Sequence, residues 1–384
     1  MIKKTIPYSK QNIDSSDKIA VIKSLNQTLI TQGPILKNLE KKICKKLKVK
    51  YAVAVSSATA GLHMVNNLFK NKKFITSPLT FASTVSTVIL SSNKIDLIDI
   101  DKNSLLIDTK KIRFKNFDGI INVLFAGSSE NSIDLRKKYR KKIIIEDASH
   151  ALGGKYLDGT PIGSCKYSDF SIFSLHPVKS ITSGEGGIIT TNSKKYYEKL
   201  KLMRSHGIIR KSDQTKFNKI LNKKLIDKPW YYEIQNIGFN YRLNEIQASL
   251  AISQFKKLDK FIKFRKKIAL TYDKYLKDFK NIDLPQSKKE VRKFSSHHLY
   301  TIRTNGKINR DLIQKKLANN GIGSQVHYIP IHNLDIFKKY FIKKKFPNVD
   351  FHFENCLSIP IFYKLSYKKL KKIILILKKI SNES

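Results

Sequence analysis

Four short segments of this chain carry side chains whose types and spacing suit joint chemistry. The run Ile143-Ile144-Ile145-Glu146-Asp147-Ala148-Ser149-His150 is apolar and ends in two carboxylates, with a histidine soon after. A carboxylate at such a strand end either holds a cationic ring nitrogen or caps the strand. The run Phe173-Ser174-Leu175-His176-Pro177-Val178-Lys179 leads into Thr182-Ser183-Gly184-Glu185-Gly186-Gly187. Lysine is common throughout, so Lys179 is set apart by its place: after a strand, before a glycine-rich turn, and among few other charges. An interior lysine there is expected to have a lowered pKa and to add to a carbonyl as a free amine. Ser56-Ser57-Ala58-Thr59-Ala60-Gly61 lies between a strand and a helix. Its backbone amides either receive a phosphate, or Ser57 or Thr59 is an ordinary helix cap. In Gly238-Phe239-Asn240-Tyr241-Arg242-Leu243-Asn244, Asn240 and Arg242 alternate with aromatics. That pattern fits a polar loop with an N-cap at Asn244.

The elements that position these residues alternate. Apolar or β-rich runs predict strands at 51–55, 74–76, 95–100, 120–125, 143–145, 170–174 and 188–190. Between the earlier ones, helical spacing predicts helices at 59–69, 81–90 and 133–139, and Leu36, Leu39, Ile43 and Leu47 mark an earlier helix after Gly33-Pro34. Such alternation implies an α/β fold with a largely parallel sheet, whose ligands sit beyond the carboxyl ends of the strands. The texture changes near residue 256. A long basic helix is expected over 255–275, a strand at 298–303, a helix at 312–318 and a last helix from Tyr367. The chain therefore divides into a large domain, 1–255, and a smaller C-terminal α/β domain, 256–384.

Length and composition are those of a globular two-domain protein of 384 residues. The net charge of +44 is extreme, but the lysines are scattered along the whole chain. They read as a basic surface able to gather anionic substrates, with no specific nucleic-acid partner. Cys44, Cys165 and Cys356 form no CxxC pair, which points to a reducing compartment; no metal site is read. The opening Met1-Ile2-Lys3-Lys4 has charge with no apolar run behind it, and no stretch is long enough to cross a bilayer, so a cytoplasmic protein without membrane attachment is expected.

In order and spacing, these pieces resemble the DegT/DnrJ/EryC1/StrS family of sugar aminotransferases. The likeness begins at Ile6-Pro7-Tyr8-Ser9-Lys10 and runs through Ser77-Pro78-Leu79-Thr80-Phe81-Ala82 and Phe125-Ala126-Gly127. It ends in His327-Tyr328-Ile329-Pro330 and Leu357-Ser358-Ile359-Pro360. The resemblance implies a fold type I, aspartate aminotransferase-like transferase that uses pyridoxal 5'-phosphate. By that resemblance Lys179 is the Schiff-base lysine and proton shuttle, and Asp147 pairs with the pyridine nitrogen. Phe81 stacks on the ring, Ala58, Thr59 and Ser174 cradle the phosphate, and His150 lies beside the ring. Asn240 reaches the phosphate from the second subunit of a homodimer. Tyr8 and His327 meet the sugar nucleotide. The implied reaction moves an amino group from glutamate to a UDP-linked 4-keto-6-deoxy-N-acetylhexosamine, for a pseudaminic acid-type or other surface glycan. Alternatives are a dTDP- or GDP-linked keto sugar, a lysine-free dehydratase on the same fold (which Lys179 opposes), or a non-catalytic or nucleic-acid-binding relative. Ser183 and Gly61 depart from common family residues, and residues 101 to 142 look short beside typical members.

Overall fold

The computed structural model describes residues 5–382 apart from 114–115, 211–221, 223, 307 and 343. Met1 to Lys4 and Lys343 of the basic runs therefore lie outside the described residues.

The first seven strands are β1 (Tyr51–Val55), β2 (Lys73–Thr76), β3 (Lys94–Leu97), β4 (Gly119–Val123), β5 (Ile143–Asp147), β6 (Phe170–Ser174) and β7 (Gly187–Thr191). They form one sheet in the order β1-β7-β6-β5-β4-β2-β3. Every pairing from β6 through β3 is parallel. Only β7 runs against its neighbours, β1 and β6. Strands β4, β6 and β7 are buried along their whole length, which explains why each reads as a continuous apolar or small-residue run. Because β7 is reversed, its first residue meets the last residues of its neighbours: Gly187 pairs with both Val55 and Ser174. The glycine-rich turn thus joins the same sheet edge as the ends of β1, β5 and β6.

The helix Pro34–Leu47 buries Leu36, Leu39, Ile43 and Leu47, the expected stripe. Each such side chain contributes about 1.5–3 kcal/mol of burial. Its first turn lacks a capping side chain of its own. Instead the buried carboxylate of Glu245 accepts from the amides of Gly33 and Ile35 at 2.9 and 2.7 Å, satisfying donors the helix cannot. Asn244 does cap the next helix, Glu245–Phe255, through a reciprocal box with Gln247.

The long helix expected over 255–275 forms as Leu258–Leu276, starting three residues later than expected. Glu245–Phe255 ends, and Leu258–Leu276 begins after a two-residue break. The second helix spans two cores. Leu258 and Phe261 pack with the sheet's core, whereas Ile268, Ala269, Tyr272 and Leu276 pack with a second one. After an antiparallel pair of two-residue strands, β8 (Ile208–Ile209) and β9 (Glu233–Ile234), that second core is built on an antiparallel sheet. Its strands are β10 (Ile282–Asp283), β11 (Tyr300–Thr304) and β12 (Cys356–Ile359). Its helices are Arg310–Asn319 and Tyr367–Asn382. The N-terminal arm crosses to it: Ile6 bridges Ile322, and its amide donates to the Gly321 carbonyl at 2.7 Å. That crossing carries Tyr8 to the sheet edge. No helix among the described residues is long and apolar enough to cross a membrane.

Candidate active site

A cavity of about 450 Å³ opens at the carboxyl edge of the main sheet. Its walls include Ala58, Thr59, Phe81, Asp147, His150, Ser174 and Lys179, with Tyr8 and His327 from the opposite side. Nine of the ten residues singled out in the sequence therefore meet in one place. The tenth, Asn240, does not line the cavity of its own chain. It is exposed, bridges Ser205, and sits on a strap clamped to the end of β1 by the Ser56 amide, which donates to the Tyr241 carbonyl at 2.9 Å.

The two carboxylates that end β5 part company, because successive side chains of a strand point to opposite faces. Glu146 is fully buried away from the cavity and accepts from the hydroxyls of Tyr156, Ser171, Ser132 and Ser168 at 2.7, 2.7, 3.0 and 3.1 Å. Burial pushes its carboxyl upward, and those donors oppose the shift. Asp147 faces the cavity. It accepts from Thr84 Oγ1 at 2.7 Å on one oxygen, and from Ser149 Oγ and the Ser149 amide at 2.6 and 3.2 Å on the other. Three donors on its two oxygens hold the carboxylate in one orientation.

Lys179 sits in the loop between β6 and β7. The loop is closed by Leu175 donating to the Gly186 carbonyl and Ser183 donating to that of Leu175, at 2.8 and 3.0 Å. Burial lowers the Lys179 amine from 10.5 to about 8, with the negative charge of Asp147 opposing. The helix Ala58–Asn67 begins at the cavity, and its Ser57 hydroxyl caps the Ala60 amide at 3.0 Å. The cap reading of Ser57 is thus observed, and the cap leaves the first-turn amides of Ala58 and Thr59 without an acceptor within the helix. Gly187 lies against them. A Cβ there would stand 2.4 Å from the Ser57 carbonyl oxygen and 2.7 Å from the Ala58 nitrogen, so the cradle can pack on β7 only over a glycine.

On the far wall, the Ala126 amide donates to His150 Nδ1 at 3.3 Å, which leaves the ring proton of the neutral imidazole on Nε2. Nε2 lies 3.0 Å from the Tyr328 hydroxyl. Burial holds His150 well below its usual pKa, and lowers His327 to about 4, so both rings are neutral at pH 7. Tyr328, Thr84, Ser149 and His298 were missed in the sequence. Tyr328 lay in a quoted segment beside His327. Thr80 and Thr84, four apart at a helix start after a strand, were a readable signal of two hydroxyls on one face.

The profile of the DegT/DnrJ/EryC1/StrS aminotransferase family matches residues 11–378. The chain belongs to that family. It is 36% identical over 379 residues to the UDP-4-amino-4,6-dideoxy-N-acetyl-beta-L-altrosamine transaminase of Campylobacter jejuni subsp. jejuni serotype O:23/36 (strain 81-176), with 95% of each chain covered. Among solved structures it is similar to Helicobacter pylori PseC, an aminotransferase involved in the biosynthesis of pseudoaminic acid. The TM-score is 0.89 at 30% identity, covering 99% of this chain and 100% of that one. The PLP-form of Spr1654, described as a putative sugar aminotransferase, from Streptococcus pneumoniae gives a TM-score of 0.85 at 26% identity, covering 99% of each chain. The expected fold type I transferase is thus present, and the protein is a pyridoxal phosphate-dependent aminotransferase.

The cavity fits that cofactor. It offers an amine without an ion-pair partner among the described residues, an acceptor-only carboxylate, a helix start backed by a glycine, and an aromatic, Phe81, that is 60% exposed within the opening. The lowered amine has a measurable consequence. Only the neutral amine attacks a carbonyl, so capture of pyridoxal phosphate by the cofactor-free protein should accelerate as pH rises through about 8 and level off above it. Stopped-flow absorbance gives that profile; a midpoint near 10.5 would mean that Lys179 is solvated like a surface lysine.

Proposed function

We propose that this aminotransferase carries an amino group from glutamate to the C4 keto group of a UDP-linked 2-acetamido-2,6-dideoxy hexose, in a pseudaminic acid-type pathway. The observation that carries this reading is the match to transaminases so named, at 31–36% identity over 95–96% of the chain, supported by a cavity lined by nine of the ten residues that the family resemblance implies. A cytoplasmic enzyme, gathering an anionic sugar nucleotide onto a surface of net charge +44, agrees with it.

When bound, pyridoxal phosphate supplies the carbonyl carbon that holds the amino group between the two substrates and a ring that takes up the electron pair. Lys179 provides the amine that anchors it and, once released, takes a proton from one carbon and returns it to another. Asp147 keeps the ring nitrogen protonated by facing it with a fixed negative charge. Phe81 covers one ring face. Ala58 and Thr59 receive the phosphate on their amides, and Ser174, at the end of β6, adds its hydroxyl. His150, neutral and tied to Tyr328, orders the wall beside the ring. Tyr8 and His327, whose rings are 5.6 Å apart, meet the sugar nucleotide at the side of the cavity formed with the second core.

A homodimer completes the proposed site through Asn240 of the other subunit. Support comes from the exposed position of Asn240 and from the apolar surface next to it in sequence: Trp230, Ile234 and Ile237 are 67%, 59% and 92% exposed in the single chain. Large apolar side chains left this exposed so close together in sequence support a contact surface here.

The substrate is tested by incubating the holoenzyme with glutamate and, separately, UDP-, dTDP- and GDP-linked 4-keto-6-deoxy sugars, and measuring 2-oxoglutarate. Release should depend on the UDP-linked N-acetyl sugar. Equal or faster release with a dTDP or GDP sugar would remove the substrate assignment and leave the aminotransferase.

A further inference from the structure

Asp147 is served by hydroxyls. Thr84 Oγ1 donates to Oδ2 at 2.7 Å, and the Thr80 hydroxyl lies 2.6 Å behind it. A carboxylate can only accept, so the Thr84 proton is committed to Asp147 and Thr80 must donate to Thr84. Thr80, Thr84 and Asp147 are 1%, 0% and 6% exposed, so little water competes for these bonds, and a hydrogen-bonded chain in such surroundings polarises along its length. The relay is built into the element that carries the ring-facing aromatic. Thr80 and Thr84 flank the start of the helix Ala82–Leu90, Phe81 is its N-cap, and the Thr84 amide donates to the Phe81 carbonyl at 3.1 Å. No ion pair to Asp147 exists among the described residues that would make these hydroxyls redundant.

We propose that Thr84, relayed from Thr80, is a positioning residue that lowers the basicity of the Asp147 carboxylate, so that the proton shared with the cofactor's ring nitrogen stays on the nitrogen. Donors to a carboxylate favour its charged form. With Thr84 donating to Oδ2 and Ser149 to Oδ1, both oxygens are partly neutralised, and the lone pairs left toward the cavity accept a hydrogen bond without taking its proton. Without the Thr84 donor one oxygen regains basicity, and the proton moves toward it. The inference rests on the reading of Asp147 as the ring nitrogen's partner, and the test separates the two.

The test is the ¹⁵N resonance of ring-labelled pyridoxal phosphate bound to the full chain, for wild type, Thr84→Val, Thr84→Ser, Thr80→Val and Asp147→Asn. Valine keeps the shape of threonine without the donor, and serine restores the donor without the methyl. The expected series is a shift toward unprotonated pyridine in Thr84→Val, a smaller shift in the same direction in Thr80→Val, and a resonance near wild type in Thr84→Ser. A merely structural role gives no such graded series and no rescue. If Asp147→Asn moves the resonance while both valine variants leave it in place, the relay is overturned and the Asp147 pairing stands. If Asp147→Asn also leaves it in place, the pairing itself falls and takes the relay with it. Should Thr84→Val fail to fold, seen by circular dichroism of the cofactor-free protein, Thr80→Val decides the matter alone.

Discussion

Replacing Lys179 with alanine is expected to lower the amination rate by about ten-thousandfold or more, because one side chain both anchors the cofactor and moves the proton. Lys179 is the one lysine lining the cavity among the described residues. Both nitrogens of His150 are engaged, by Ala126 and Tyr328, and His327 Nδ1 is engaged by the Ser358 hydroxyl at 2.9 Å. The fold should survive, since Lys179 contributes to its loop through its backbone amide, which donates to the His176 carbonyl at 3.0 Å. Single-turnover kinetics with glutamate read the loss. Partial recovery on adding a small primary amine would show that the missing group is the amine itself; loss of cofactor binding together with secondary structure would instead mark a folding defect.

Asp147→Asn carries the second large effect, a fall of about a thousandfold in kcat/KM. The substitution is nearly isosteric; Thr84 and Ser149 donate to different oxygens, so the amide keeps an acceptor for only one of them, and the larger change is the loss of charge. A unit charge pair about 4 Å apart is worth about 4 kcal/mol at an effective dielectric of about 20, and about 1.4 kcal/mol is tenfold in rate. Steady-state kinetics at pH 7.5 measure it. A loss below tenfold would mean that the ring nitrogen does not depend on this carboxylate.

Most of the sheet was legible, because strands buried on both faces must be apolar along their length, as in β4 and β6. Several helices were not, Lys289–Phe294 and Pro347–Asn355 among them, and two others show why. Ser15–Leu25 buries Asp17 and Ser24 while Ile19, Ile22 and Leu25 remain exposed, so no apolar stripe exists for periodicity to reveal. Lys194–Arg204 buries only Leu200 and Arg204, behind a lysine-rich face. The strand expected over 95–100 stops at Leu97 because the chain leaves its partner there, a tertiary event that an apolar run does not record.

The site divides in the same way. That Lys179, Asp147, Ala58 and Thr59 would meet was readable because each sits beside a strand end, and the fold rule places these strand ends together. The environment of each group was not. The hydroxyl relay to Asp147 joins Thr84 to a residue 63 positions away, and Tyr328 reaches His150 across 178. Which of Glu146 and Asp147 faces the cavity depends on the register of β5, set by its pairing with β4 and β6. Only the packed chain fixes such contacts.

The central claim is that Lys179 bonds to the cofactor. Borohydride reduction of the holoenzyme fixes that carbon–nitrogen bond, and peptide mass mapping locates it. Most of the chain's 74 lysines and arginines are lysines, so a reactive aldehyde has many amines from which to choose. The structure predicts one phosphopyridoxyl group per chain, on Lys179. Label spread over surface lysines, or placed on another single lysine, would contradict it.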